Sequence, residues 1–115
     1  MNFDTMNLKI KASTYFRLFA SKNINKLKDI YDQKIILKDW IVKINGKKNV
    51  ISFNEKTFKN FDVIKVKVIE TFINSKKNSI ACKIVINLDK LKLNVVDIIY
   101  FNKKGYISRI EAYKL

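Results

Sequence analysis

The chain has 115 residues, 48% of them hydrophobic and 12% aromatic, with no proline and glycine only at Gly46 and Gly105. These values exclude a disordered or collagen-like polymer and give one domain, 1–115, large enough for a real core. The formal charge of +14 comes almost wholly from lysines scattered through every segment, with arginine only at Arg17 and Arg109; a dispersed pattern poor in arginine is a solvated surface and excludes specific nucleic-acid binding as an expectation.

In the opening MNFDTMNLKIKAS, charges break up the apolar residues, so no signal-type apolar segment forms, and no stretch approaches the length of a membrane span. The expectation is a cytoplasmic protein with no membrane partner. From Met6 the pattern is helical: Leu8, Ala12, Tyr15, Phe16 and Phe19 recur at three- and four-residue spacing, with Asp4 or Thr5 as the cap. After a break at Ser21 to Asn23, Ile24, Leu27, Ile30 and Tyr31 repeat the helical period behind Asn23 as cap.

From Ile35 the period becomes two. KIILKDWIVKI reads as one strand with Ile35, Leu37, Asp39 and Ile41 on one face and Ile36, Trp40, Val42 and Ile44 on the other. Asn45-Gly46 marks a turn, and Val50, Phe53, Phe58 and Phe61 predict a third, shorter helix. VIKVKVIETFI, SIACKIVINL, LKLNVVDIIYF and YISRIEAYK follow as strands joined by the short connections NSKKN, DK and NKKG, hence antiparallel. Helices first and a sheet afterwards predict an α+β fold, a cone of curved antiparallel sheet whose concave face is covered by three helices from the N-terminal half. Such a cone encloses a pocket.

With no histidine and a single cysteine, the chain builds neither a disulfide, nor the usual Cys/His zinc site, nor a histidine triad. Cys82 shares its face with Ile80, Ile84 and Ile86 and reads as core filler. Three other polar groups stand out. Tyr15 lies in the apolar stripe of the first helix, Asp39 on the face of Ile35 and Leu37, and Asp97 on the face of Leu93, Val95, Ile99 and Phe101. Taken singly, each is a polar group with a local partner or a strand end in water. Taken together, they outline a site in which Asp97, deeper among apolar residues, keeps its proton and donates, while Asp39, nearer the mouth, accepts one.

TYFRLFASKNINKLKDIYDQKIILKD resembles, without a gap, the N-terminal part of ketosteroid isomerases in the NTF2-like (SnoaL-like) superfamily, and VVDIIYFNKKGYISRIEAY resembles that family's paired last strands. The two segments cover about two fifths of the chain; the middle matches only in the order of its elements. The resemblance implies an NTF2-like cone, with Tyr15 on the oxyanion-hole tyrosine, Asp39 on the general base, Asp97 on the aspartic acid that shares the oxyanion hole, and Gly105 on the hairpin glycine. Trp40 departs from the pattern, following Asp39 where the isomerases typically carry proline; alternation sets it on the opposite face, behind the site.

The implied activity is a cofactor-independent, isomerase-type proton transfer beside the carbonyl of a small hydrophobic molecule, with no metal. The alternatives within the same scaffold are a non-catalytic ligand-binding or assembly module and a SnoaL-like cyclase. The outer sheet face, with Lys65, Lys67, Ile69 and Ile73 on one strand and Val96, Ile98 and Tyr100 on another, fits the family's sheet-to-sheet homodimer.

Overall fold

Residues 5–115 are described by a computed structural model. Asp4, one of the two cap residues proposed for the first helix, lies outside them, and Thr5 is already helical. The elements run α1 (Thr5–Ala20), α2 (Ile24–Ile30), β1 (Tyr31–Lys38), β2 (Lys43–Asn45), α3 (Lys47–Asn60), β3 (Ile64–Asn74), a 3-10 turn (Ser75–Lys77), β4 (Ser79–Leu88), β5 (Leu91–Phe101) and β6 (Ile107–Lys114). The strands form one sheet in the order β2-β1-β6-β5-β4-β3. Every neighbouring pair is antiparallel except β1 with β6, which is parallel and makes the sheet mixed. A parallel pair requires a long crossover, and here everything from β2 to β5 supplies it.

The three helices lie on the inner face, α1 against β3 and β4 and α3 against β1 and β2. Leu8, Ala12, Tyr15 and Phe16 from α1 and Val50, Ile51 and Phe58 from α3 join Ile80, Cys82, Ile84, Val95, Ile99 and Ile110 of the strands in one apolar core. Asn23 caps α2 through its side chain, which accepts from Lys26 N. Gly46 precedes α3 with φ at +89°, a conformation that a Cβ would strain. Asp89 holds the two-residue β4–β5 turn at φ 56°. Its carboxylate oxygens accept from Asp62 N and Val63 N, tying that hairpin to the exit of α3.

Three local differences from the periodic pattern matter for the site. Tyr31 does not continue α2. It takes extended geometry, closes the helix by donating its N–H to Leu27 O, and opens β1. KIILKDWIVKI is two strands rather than one: Asp39 to Val42 form a turn, so Ile44 pairs with Leu37 and packs on the core with it instead of on the opposite face. In β3 the register shifts between Val68 and Glu70, a bulge that inverts the alternation. Ile73 therefore packs on the core, away from the face of Lys65 and Lys67, and Phe72 replaces it outside.

Candidate functional site

Between the helical layer and the inner sheet face lies a cavity of about 330 Å³, within the range of small-molecule sites. Its walls are aromatic on the helical side, with Phe16, Phe19, Phe53 and Phe61, and aliphatic on the strand side, with residues such as Ile84 and Val95. Tyr15, Asp39 and Asp97 all line it. None of the described lining residues is a lysine or arginine, in a chain that carries 24 of them.

Asp97 faces inward because β5 alternates: Val95, Asp97, Ile99 and Phe101 are all buried. Its cross-strand neighbours are Cys82 on β4 and Ala112 on β6, neither of which offers a charge or a strong donor. Among the described residues no hydrogen bond or ion pair reaches its carboxyl group, and burial pushes its pKa up from 3.8 to about 7. The cause is desolvation, which penalises the charged form. Burial, with a smaller contribution from the Asp97 charge, also lifts the Cys82 thiol to about 12; Cys82 is fully buried core filler, as its neighbours suggest.

Tyr15 comes from the middle of α1, where its position in the Leu8–Ala12 stripe turns it into the core. Its ring lies 5.3 Å from that of Phe16 and 6.4 Å from that of Tyr31. The Tyr31 hydroxyl donates to Oδ1 of Asn54 at 2.8 Å. Since the Tyr31 proton is spent on Asn54, the Tyr31 oxygen is left as an acceptor beside the Tyr15 ring. Burial first, then the neighbouring Tyr31 and Asp97, hold the Tyr15 phenol well above its ordinary value, so it stays a donor.

Asp39 is not on a strand face. It organises the β1–β2 turn: its N–H donates to Val42 O at 2.9 Å, and its Oδ1 accepts from Ile41 N at 2.7 Å and Val42 N at 2.8 Å. Such aspartate-centred turns are common because the short side chain copies a backbone turn. The turn also corrects the expectation for Trp40. Alternation breaks at residue 39, and Trp40 and Ile41 line the cavity alongside Asp39 rather than packing behind it.

Asn54 lines the cavity and Tyr31, outside the lining, holds it by a hydrogen bond; the periodic reading assigns neither to the site. Asn54 carried a signal of the same kind as Tyr15, since it sits midway between Val50 and Phe58 at four-residue spacing and so falls in the buried stripe of α3. Tyr31 carried none, because the helix-to-strand junction at which it lies has no glycine or proline to mark it.

No family model matches the sequence, and no curated protein does. Solved structures match the fold closely. A SnoaL-like protein of unknown function from Burkholderia thailandensis superposes with a TM-score of 0.87 at 8% identity, covering 100% of this chain and 99% of that one. A candidate ketosteroid isomerase from Kribbella flavida gives a TM-score of 0.79 at 15% identity over 97% of this chain and 80% of that one. A de novo designed protein with a curved β-sheet gives 0.81 at 13% identity over 98% and 88%. A scaffold shared by a designed protein and proteins of unknown function says nothing by itself about chemistry. Three helices on the concave face of a six-stranded curved sheet, together with these likenesses, establish that the chain has the NTF2-like fold.

Proposed function

We propose that the cavity binds a small, uncharged, apolar molecule with a carbonyl group and moves a proton beside that carbonyl, as ketosteroid isomerases do. The observation that carries this reading is the unpartnered Asp97 carboxyl, buried in an apolar cavity that Tyr15 and Asp39 also line. With its pKa raised to about 7, the Asp97 carboxyl keeps its proton up to near-neutral pH, and in that form it is a hydrogen-bond donor facing an apolar cavity. In the proposed reaction the substrate oxygen accepts from the protonated Asp97 and from the Tyr15 hydroxyl. Asp39, through the oxygen that the turn does not use, removes a proton from the carbon beside the carbonyl. In a β,γ-unsaturated ketone the C–H electron pair becomes the new carbon–carbon π bond of a dienolate while the carbonyl π pair moves onto the oxygen, where charge builds facing Tyr15 and Asp97. Asp39 then returns the proton to another carbon, so the double bond moves and no external reagent is consumed. A preorganised donor at a developing oxyanion is typically worth ~3 kcal/mol in barrier, and a positioned base about two to four decades in rate.

The commitment of Asp39 Oδ1 to two backbone N–H groups favours a second reading, binding without catalysis, in which Asp39 is only the keystone of its turn. A panel of β,γ-unsaturated ketones, followed by the absorbance of the conjugated product, decides between the two. Turnover by the wild type that Asp39→Asn abolishes supports proton transfer; binding of phenolic enolate mimics without any turnover supports the second reading.

The same proposal includes a homodimer through the outer sheet face. Phe72, Ala81 and Ile98 form a cross-strand row there, Val96 pairs with Tyr113 beside it, and Phe72 is 58% exposed. A second copy of this sheet is the partner whose surface matches by symmetry. No described helix is long and apolar enough to cross a membrane.

A further inference from the structure

Asp97 is 9% exposed, lines the cavity, and makes no hydrogen bond or ion pair with the described residues. A carboxyl group so placed has two ways to avoid a bare buried charge: it keeps a proton, or a cation comes to it. The protein brings no cation to it. No lysine or arginine is among the described lining residues, although the chain carries 24 of them and a net charge of +14. Asp39 adds a second carboxyl group to the wall, of which the turn engages Oδ1. Around them stand the rings of Tyr15, Phe16, Phe19, Trp40, Phe53 and Phe61. The face of an aromatic ring is its negative side and attracts a cation that has left water. On the α3 wall the Thr57 hydroxyl spends its proton on Phe53 O at 3.2 Å, and Asn54 Oδ1 already serves as an acceptor. Acceptors and aromatic faces are thus gathered in one hollow without a positive charge among them.

From this we propose that the cavity takes a second class of ligand, a small arylalkyl amine bound as its ammonium ion, with the N–H groups on the Asp97 carboxylate and the organic part among the aromatic and aliphatic walls. The inference rests on the reading of the cavity as a ligand site and goes beyond proton transfer, which uses Asp97 in its protonated form. The proton balance is simple: the ammonium keeps its protons, and the Asp97 carboxylic acid releases one to solvent as the ion pair forms. A cavity of about 330 Å³ is at the small end for a ligand site, which suits an amine with one ring. The titratable groups facing Asp97 are Tyr15 of α1 and Cys82 of β4, both of which burial keeps protonated at neutral pH; Ala112 of β6 has none, Asn54 of α3 does not titrate, and Asp39 shares the cavity wall. The charge of +14 repels an approaching cation, but salt screens exposed charges beyond about 10 Å at 0.1 M and screens a buried pair much less.

Calorimetric titration with two probes of equal size, 2-phenylethylamine and 2-phenylethanol, between pH 5 and pH 8 tests this. The amine stays an ammonium over that range. Its affinity should rise about tenfold per pH unit and flatten near the Asp97 pKa of about 7, with about one proton released per amine bound below that pH, while the alcohol changes by less than about threefold. At pH 8 the amine should bind at least about tenfold tighter than the alcohol. Asp97→Asn should bring the two probes within about threefold of each other at every pH. Proton release by the wild type is read without any substitution, so it decides the matter even where the variant does not fold. Binding of the amine should persist in about 0.5 M NaCl; binding that salt abolishes belongs to exposed carboxylates and overturns the inference. Equal affinity for the two probes, or an amine affinity flat across the range, overturns it and leaves the ligand site standing. If neither probe binds while the uncharged ketone 4-phenylbutan-2-one does, the inference falls alone; if that ketone fails as well, the ligand-site reading falls with it.

Discussion

The Tyr31 hydroxyl donates to Asn54 Oδ1 at 2.8 Å, joining the first residue of β1 to the buried stripe of α3. Both groups are buried, so removing one partner takes away the bond that offsets the desolvation of the other. Tyr31→Phe is expected to destabilise the fold by about 1–3 kcal/mol, the usual cost of orphaning a buried polar group. Urea midpoints for Tyr31→Phe, Asn54→Leu and the double variant measure it. The double variant should lose clearly less than the sum of the single losses; strict additivity would show that the bond contributes nothing.

Asp97 gives a pH-dependent prediction whose sign follows from its raised pKa. The folded value of about 7 lies above the ordinary 3.8, so protonated Asp97 favours the folded state. Its contribution is fully present below about pH 4 and is lost as pH rises through 7. Asp97→Asn removes this titration. The variant should melt close to the wild type at pH 4.5 and above it at pH 8, with a gap of order 2–4 kcal/mol in urea unfolding. A wild type and variant that run parallel across that range would mean that Asp97 carries its charge in the fold without cost.

Much of this architecture was legible because the chain marks its elements by period. The helical stripe of α1, the Asn45-Gly46 break before α3, and the two- to five-residue connections between β3 and β6 all appear where spacing puts them. What was not legible has local causes. Lys38 to Lys43 contains no glycine or proline, and its turn is made by the side chain of Asp39, so the six residues look like continuous strand and Trp40 is assigned to the wrong side. The bulge at Val68–Glu70 adds one residue to one strand, which leaves every hydrophobic residue in place but exchanges the faces of Phe72 and Ile73. The inward turn of Asp97, by contrast, could be read directly, because β5 alternates without interruption.

Asp39 has two duties, and two substitutions separate them. Asparagine keeps an Oδ1 that can accept from Ile41 N and Val42 N but cannot take up a proton as a base. Alanine loses both functions. Asp39→Asn should therefore retain the wild-type melting temperature and ligand affinity while lowering turnover by roughly two to four decades. Asp39→Ala should lose the same activity and, in addition, about 1 kcal/mol or more of stability through the turn. An Asp39→Asn variant with wild-type turnover would remove Asp39 from the reaction and leave it a turn residue.

The outer sheet face supplies the last prediction. After the bulge in β3, Phe72 stands on that face in one row with Ala81 of β4 and Ile98 of β5, and the row ends at Glu111 of β6, which Arg109 holds at 2.7 Å. An apolar row bounded by an ion pair has the anatomy of an interface, with a dry centre and a charged rim. If a second copy covers it, the protein sediments as a dimer at micromolar concentration, and Phe72→Glu shifts it to monomer because a carboxylate would have to be buried in the apolar contact on each copy. Phe72 makes no part of the cavity, so the variant should keep its phenol affinity. A wild type that stays monomeric at a concentration of a few hundred micromolar would leave this face free for solvent, and the row of apolar side chains would then have no function in assembly.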